Sequence, residues 1–139
     1  MTEAFIEKRR YTRIFFSDQE KAGGVMSPIE DKDKSFPSYI LNLSEGGLQF
    51  NQKRLEYSGV QPGDKLLLHR INGLHELIAL ADIPMQIKWV MDNEYLDHVV
   101  MGAAFTELND SQRRTLQSFI NTCLALHQEE KESQLTENK

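Results

Sequence analysis

Cysteine occurs once in the 139 residues, so the chain cannot close a disulfide within itself and its fold must rest on packing. A domain of about this length buries roughly two thirds of its unfolded surface, enough to fold without disulfide or metal staples. Long apolar runs are also missing. Stretches such as Leu66-Leu67-Leu68 and Leu77 to Ala81 fall far short of the roughly 18 residues needed to cross a bilayer as a helix, which excludes a membrane-inserted span. The first ten residues hold Glu3, Glu7, Lys8, Arg9 and Arg10 around only Phe5 and Ile6, where a secretory signal would be apolar. A cytoplasmic protein is therefore expected.

Several chemical signatures are absent too. His69, His75, His98 and His127 show no His-x-x-x-His spacing and there is no Cys-x-x-Cys, so no metal and no resident cofactor are expected. Neither a Gly-x-x-x-x-Gly-Lys loop nor a Gly-x-Gly-x-x-Gly fingerprint occurs, so any bound nucleotide needs another cradle. Cys123 falls on the apolar stripe of a predicted helix, the place of a small buried hydrophobe rather than a nucleophile. Positive charge is in deficit as well: 16 Lys and Arg stand against 21 Asp and Glu, a net charge of -5. Such a surface repels long polyanions, and neither DNA nor RNA is expected as a partner.

What positive charge there is gathers at one end. Lys8, Arg9, Arg10 and Arg13 fall within six residues, a knot suited to a small anion, although a solvated terminal arm would look the same. Residues 1–12 read as a flexible basic arm, 13–130 as the folded domain and 131–139 as a disordered tail. Within the domain a strand is expected to start at Ile14-Phe15-Phe16, and Ser17 to Ser35 to form a long loop or ragged hairpin. Tyr39 to Leu43, a turn at Ser44 to Gly47, and Leu48 to Phe50 read as strand, turn and strand, with Leu41 and Leu43 on one face. Lys65 to Ile71 is a further strand, closed by the hairpin signal Asn72-Gly73. Glu76 to Met91, bent or at an edge near Pro84, and His98 to Phe105 complete about six strands.

Then the period changes. Leu116, Phe119, Ile120, Cys123, Leu124 and His127 recur at helical spacing, and Asn109 with Gln112 forms a capping-box start for a helix from about Asp110 to Glu129 or shortly beyond. Consecutive short strands followed by one amphipathic α-helix fit a sandwich or a closed barrel equally.

Two short motifs remain. Arg9-Arg10-Tyr11-Thr12-Arg13 contains Arg-x-x-x-Arg, and Asn42-Leu43-Ser44-Glu45-Gly46-Gly47 contains Asn-x-Ser-x-x-Gly. At average residue usage roughly one chain of this length in fifty would carry both by chance. In their order and their spacing of about thirty residues they resemble the PilZ domain family. Gly47-Leu48, Pro62-Gly63-Asp64, Lys88-Trp89-Val90, Gly102 to Phe105 and a closing helix with Arg113-Arg114 extend the resemblance over about residues 7 to 125.

The resemblance implies a mainly β fold, a six-stranded antiparallel β-barrel with a C-terminal amphipathic α-helix, and cyclic di-GMP as ligand. It assigns ligand contacts to Arg9 and Arg13, with Arg10 beside them, and to Asn42, Ser44 and Gly47; Lys8, Gly46 and Trp89 are further candidates. The chemistry suits such a ligand. Arginine pairs bidentately with phosphate or with the O6/N7 edge of guanine, and its flat face stacks on bases. Asn42 offers a carbonyl to guanine N–H groups, Ser44 a hydroxyl, and Gly47 a position where a positive φ would let backbone approach the ligand. Trp89 could face a base or fill the barrel. In the family, the residue before the first motif arginine bears on whether one nucleotide or an intercalated pair binds; Lys8, basic there, points toward a pair.

A non-enzymatic receptor follows, one that orders its arm over the ligand and acts on a protein effector in trans, in motility, biofilm or related regulation. Two other readings stay open: a PilZ-like interaction module that binds no nucleotide, and a small barrel enzyme acting on a phosphorylated ligand.

Overall fold

The structure, a computed structural model, describes residues 11–17 and 19–137, with side chains as far as residue 127. Its strands are β1 (Ile14–Phe15), β2 (Gly23–Pro28), β3 (Phe36–Leu43), β4 (Gly47–Lys53), β5 (Lys65–Asn72), β6 (Ala81–Met91) and β7 (His98–Phe105), followed by helix α1 (Asp110–Glu137). Six of them, in the order β3-β2-β5-β6-β7-β4, form an antiparallel ring that the β3–β4 pairing closes. This is the six-stranded barrel with one C-terminal helix. The two-residue β1 lies outside the ring, pairing Ile14 with Leu43 and Phe15 with Asn42 at the end of β3.

Alternation fills the barrel. Inward positions such as Ile40, Phe50, Leu66, Leu68, Ile83, Met85 and Met101 are almost fully buried, while their neighbours in sequence face out. Closure leaves no long edge for a foreign strand to pair with. The helix begins at a reciprocal capping box: Gln112 N–H donates to Asn109 Oδ1 at 2.7 Å, and Asn109 N–H to Gln112 Oε1 at 3.0 Å. Leu116, Phe119 and Ile120 then cover one end of the barrel, beside Leu77 and Leu80. Phe119 also meets Phe16, ring centroids 6.2 Å apart, which ties the segment after β1 to the helix.

Local reading went astray where packing overrides it. The stretch expected as a long loop or ragged hairpin contains β2, which forms an antiparallel hairpin with β3 and also pairs with β5, although Gly23-Gly24 and Pro28 hide it in sequence. No two-residue hairpin forms at Asn72-Gly73, because Leu77 and Leu80 are drawn into the core through a 3-10 turn at His75–Leu77. The next strand consequently starts at Ala81 rather than Glu76. Leu41 and Leu43 do not share a face: a bulge between Ile40 and Asn42 leaves Leu41 unpaired and puts Ile40 and Leu43 into the core. Pro84 sits where the expected bend or edge would put it, since β6 pairs with β5 alone before Met85 and gains β7 from there. On α1, Leu124 is exposed and His127 too, so the packed stripe ends near Cys123. The helix nevertheless runs on to Glu137, through residues 131–137 of the expected tail, which hold no Gly or Pro to stop it.

Candidate functional site

An open cavity of about 350 Å³ lies against the outer wall of the barrel, where the β3–β4 turn meets β6 and β7. Volumes of this size are usual for small-molecule sites. Arg13, Asn42, Ser44, Gly46, Gly47 and Trp89 all line it, so the described part of the Arg-x-x-x-Arg motif and the Asn-x-Ser-x-x-Gly motif converge across about thirty residues of sequence. Lys8, Arg9 and Arg10 lie outside the described residues.

Two bulges shape the wall. Leu41 is the unpaired residue of one, and the chain resumes its ladder at Asn42, opposite Gln49. Lys88 is the unpaired residue of the other, between Ile87, paired with Ala103, and Trp89, paired with Gly102. In a regular strand neighbours face opposite ways, but this bulge turns both Lys88 and Trp89 outward and so presents a cation and an aromatic ring together. Trp89 is 36% exposed on the cavity wall rather than buried in the barrel. Gly102 makes that possible: any side chain there would run into the indole of Trp89.

The turn is held by its own groups and by the end of β7. Ser44 N–H donates to Gly47 O at 2.9 Å, Gly46 N–H to Ser44 Oγ at 3.1 Å, and Phe105 N–H to Gly46 O at 2.9 Å. The Ser44 hydroxyl thus shapes the turn whatever else it does. Gly47 is needed for a different reason from the one expected. It lies outside the positive-φ region, and instead its Cα packs so closely on Ala103 O that a Cβ would collide with it. Asn42, 3% exposed, donates through Nδ2 to Gln49 Oε1 at 2.7 Å.

Seven lining residues were not singled out as contacts from sequence, and three of them, Tyr11, Gln49 and Lys88, carry polar side chains. Tyr11, inside the first motif, packs its ring on Gly46, where a Cβ would come within 2.6 Å of Tyr11 Cδ2. Lys88 needs knowledge of its bulge, and Gln49 of the β3–β4 register. Only the two glycines in succession hinted that something packs against the turn.

The charge of the wall is one-signed. Among the described residues its lining includes Arg13 and Lys88 but no Asp or Glu, so an anion meets attraction there in spite of the net charge of -5. Among the described residues the same lining holds no histidine or cysteine. Cys123 lies on α1, where burial, followed by the charges of Glu76 and Glu20, raises its thiol above the ordinary range and disfavours the thiolate.

Comparison with known proteins brings the two motifs under one description. The PilZ domain pattern matches the chain over residues 7–122. The chain belongs to the PilZ domain family. The fold of this PilZ domain is similar to that of the PilZ domain of YcgR from Escherichia coli with c-di-GMP, at 14% identity and a TM-score of 0.68, covering 90% of this chain and 98% of that one. It is also similar to MotI/DgrA, the inhibitor of motility of Bacillus subtilis, at 13% identity and a TM-score of 0.62, over 85% of this chain and 52% of that one. MrkH of K. pneumonia, in its c-di-GMP complex, matches at 14% identity and a TM-score of 0.63, over 86% and 53%. This PilZ domain thus spans about half the length of MotI/DgrA and MrkH. No curated protein matches it in sequence. No helix among its described residues is long and apolar enough to cross a membrane.

Proposed function

We propose that this protein is a receptor for cyclic di-GMP that performs no catalysis and acts on a protein effector in trans. One observation carries the reading: the cavity gathers Arg13, Asn42, Ser44, Gly46 and Gly47 of the two family motifs with Lys88 and Trp89, and its lining has no carboxylate among the described residues. Cyclic di-GMP offers two phosphodiester anions and two guanines. Arg13 and Lys88 suit the phosphates, Asn42 the donor edge of a guanine, and the exposed face of Trp89 a stacked base. YcgR and MrkH, which share the fold, are described with this nucleotide bound.

Arg9 and Arg10 would complete the site from the arm. Tyr11 already rests on Gly46, so the base of the arm sits at the cavity rim, and closure of residues 5–13 onto the barrel around the ligand would change the surface shown to an effector. Isothermal titration of cyclic di-GMP into the purified protein tests the reading, with GTP, cyclic GMP and an Arg9→Ala/Arg13→Ala variant as controls. Saturable binding of the cyclic dinucleotide by wild type alone is expected, and its stoichiometry tells one nucleotide from the pair that Lys8 suggests. No binding at high micromolar nucleotide by folded protein would replace the receptor with a nucleotide-independent interaction module.

A further inference from the structure

We propose that Gln49 is a positioning residue for guanine recognition, holding the Asn42 amide so that its carbonyl oxygen and not its NH2 group faces the ligand. The proposal rests on the cyclic di-GMP reading and deepens it. A carboxylate at position 42 would present acceptors however it rotated, whereas an amide presents an acceptor in only one of its two orientations. The Watson–Crick edge of guanine brings N1–H and N2–H donors. Asn42 turned the wrong way would set donors against donors and leave a buried group unpaired, which is the costly outcome for any polar contact.

The structure supplies what fixes the orientation. Asn42 and Gln49 are directly opposed across β3 and β4, at the point where the bulge at Leu41 resets the register. Asn42 Nδ2 donates to Gln49 Oε1 at 2.7 Å, a bond that occupies the donor side of the amide and leaves Oδ1 as the acceptor. Both residues line the cavity, and Asn42 is buried enough that rotation of its amide alone would break this bond with little water to replace it. The pair also has an electrostatic logic. An aspartate would supply the acceptor but place negative charge beside the ligand's phosphates; Asn42 avoids that charge, and Gln49 makes up for the orientation that is lost with it.

The test compares cyclic di-GMP with cyclic di-IMP, which keeps N1–H and O6 but lacks the 2-amino group, by titration into wild type and three variants. Wild type is expected to prefer cyclic di-GMP by roughly three- to tenfold, the value of one good hydrogen bond. Gln49→Met should bring that ratio close to one, through weaker cyclic di-GMP binding with cyclic di-IMP little changed. Gln49→Glu, which can only accept, should keep the ratio while its charge weakens both ligands alike. Adding Asn42→Asp to Gln49→Met should restore the ratio, because a carboxylate needs no orienting. Retention of the wild-type ratio by Gln49→Met, or parallel loss of both ligands, would reduce Gln49 to a piece of wall and overturn the proposal. Failure of wild type to bind either ligand is a different result, and it removes the receptor reading together with this one.

Discussion

Strand β4 has two ends built from the same kinds of residue to opposite effect. At the Lys53 end, Gln52 is 1% exposed and uses all its polar capacity internally: Nε2 donates to Pro37 O and Glu56 O, and Oε1 accepts from Ser58 N–H and from Ser58 Oγ–H at 2.9 Å. Beside it Arg54 clasps the β6–β7 hairpin, donating to Asp92 Oδ1 at 2.6 Å, Leu96 O at 2.9 Å and Asn93 O. At the Gly47 end Asn42, Ser44, Gln49 and Arg13 border open space, even though Asn42 also bonds Gln49 and Ser44 also bonds within its turn. Amides, hydroxyls and a guanidinium occur at both ends. Residue type therefore does not tell a structural polar cluster from a binding one; what tells them apart is whether the groups close on one another or converge on a cavity.

The sharpest way to break this contrast is to exchange the consequences. Arg13→Ala should weaken cyclic di-GMP binding by about a hundredfold, the loss of charge-assisted contacts, and leave the melting temperature nearly unchanged. Gln52→Ala should do the reverse. Stranding the buried partners of Gln52 is expected to cost about 2–3 kcal/mol in a urea melt, with nucleotide affinity kept in the folded fraction. If Gln52→Ala weakened the ligand as much as Arg13→Ala does, the two ends would be coupled and the division drawn here mistaken.

Gly102→Ala should act between these extremes. Its methyl group must displace the Trp89 ring, which predicts a drop in affinity of roughly tenfold by titration and only a modest fall in melting temperature. The smallest effect is a pH dependence confined to the rest of the molecule. Burial first, then Asp92 and Asp64, raises the Tyr57 phenol, whose O–H donates to Val60 O at 2.6 Å, and burial likewise raises Cys123. Both groups are neutral when protonated and are raised in the fold, so the unfolded chain loses its protons first. Their contribution to stability is whole below the ordinary thiol and phenol range and is lost as pH climbs through it. Melting temperature should thus decline slightly above about pH 9, and a flat profile would count against this account.

The parts of this molecule legible in sequence were those decided locally. Asn109 and Gln112 announce their capping box because the reciprocal bonds span three residues, and Asn42 to Gly47 mark a turn whose bonds are internal to it. The barrel needed the family likeness, since hairpins alone fit a sandwich as well. What stayed hidden depends on register between strands distant in sequence. Neither the bulge at Leu41 nor that at Lys88 has a local signature, so Gln49 and Lys88 were not recognised as parts of the site. Gly47 was noticed for the wrong reason, because the atom that demands a glycine there belongs to Ala103 in another strand. Strand β2 could be read only as a long loop or ragged hairpin because Gly23-Gly24 reads as a break until β3 and β5 are in place on either side.

Trp89 is the sole tryptophan of the chain, and it stands on the cavity wall against Gly102. The intrinsic fluorescence of the whole protein above the tyrosine band is thus emitted from one patch of the proposed binding surface, with no background from the barrel interior. Nature has installed a label where an experimenter would have wanted one. Quenching or a spectral shift on adding a nucleotide would register occupancy of that wall directly, in unmodified protein and at concentrations well below those that calorimetry requires.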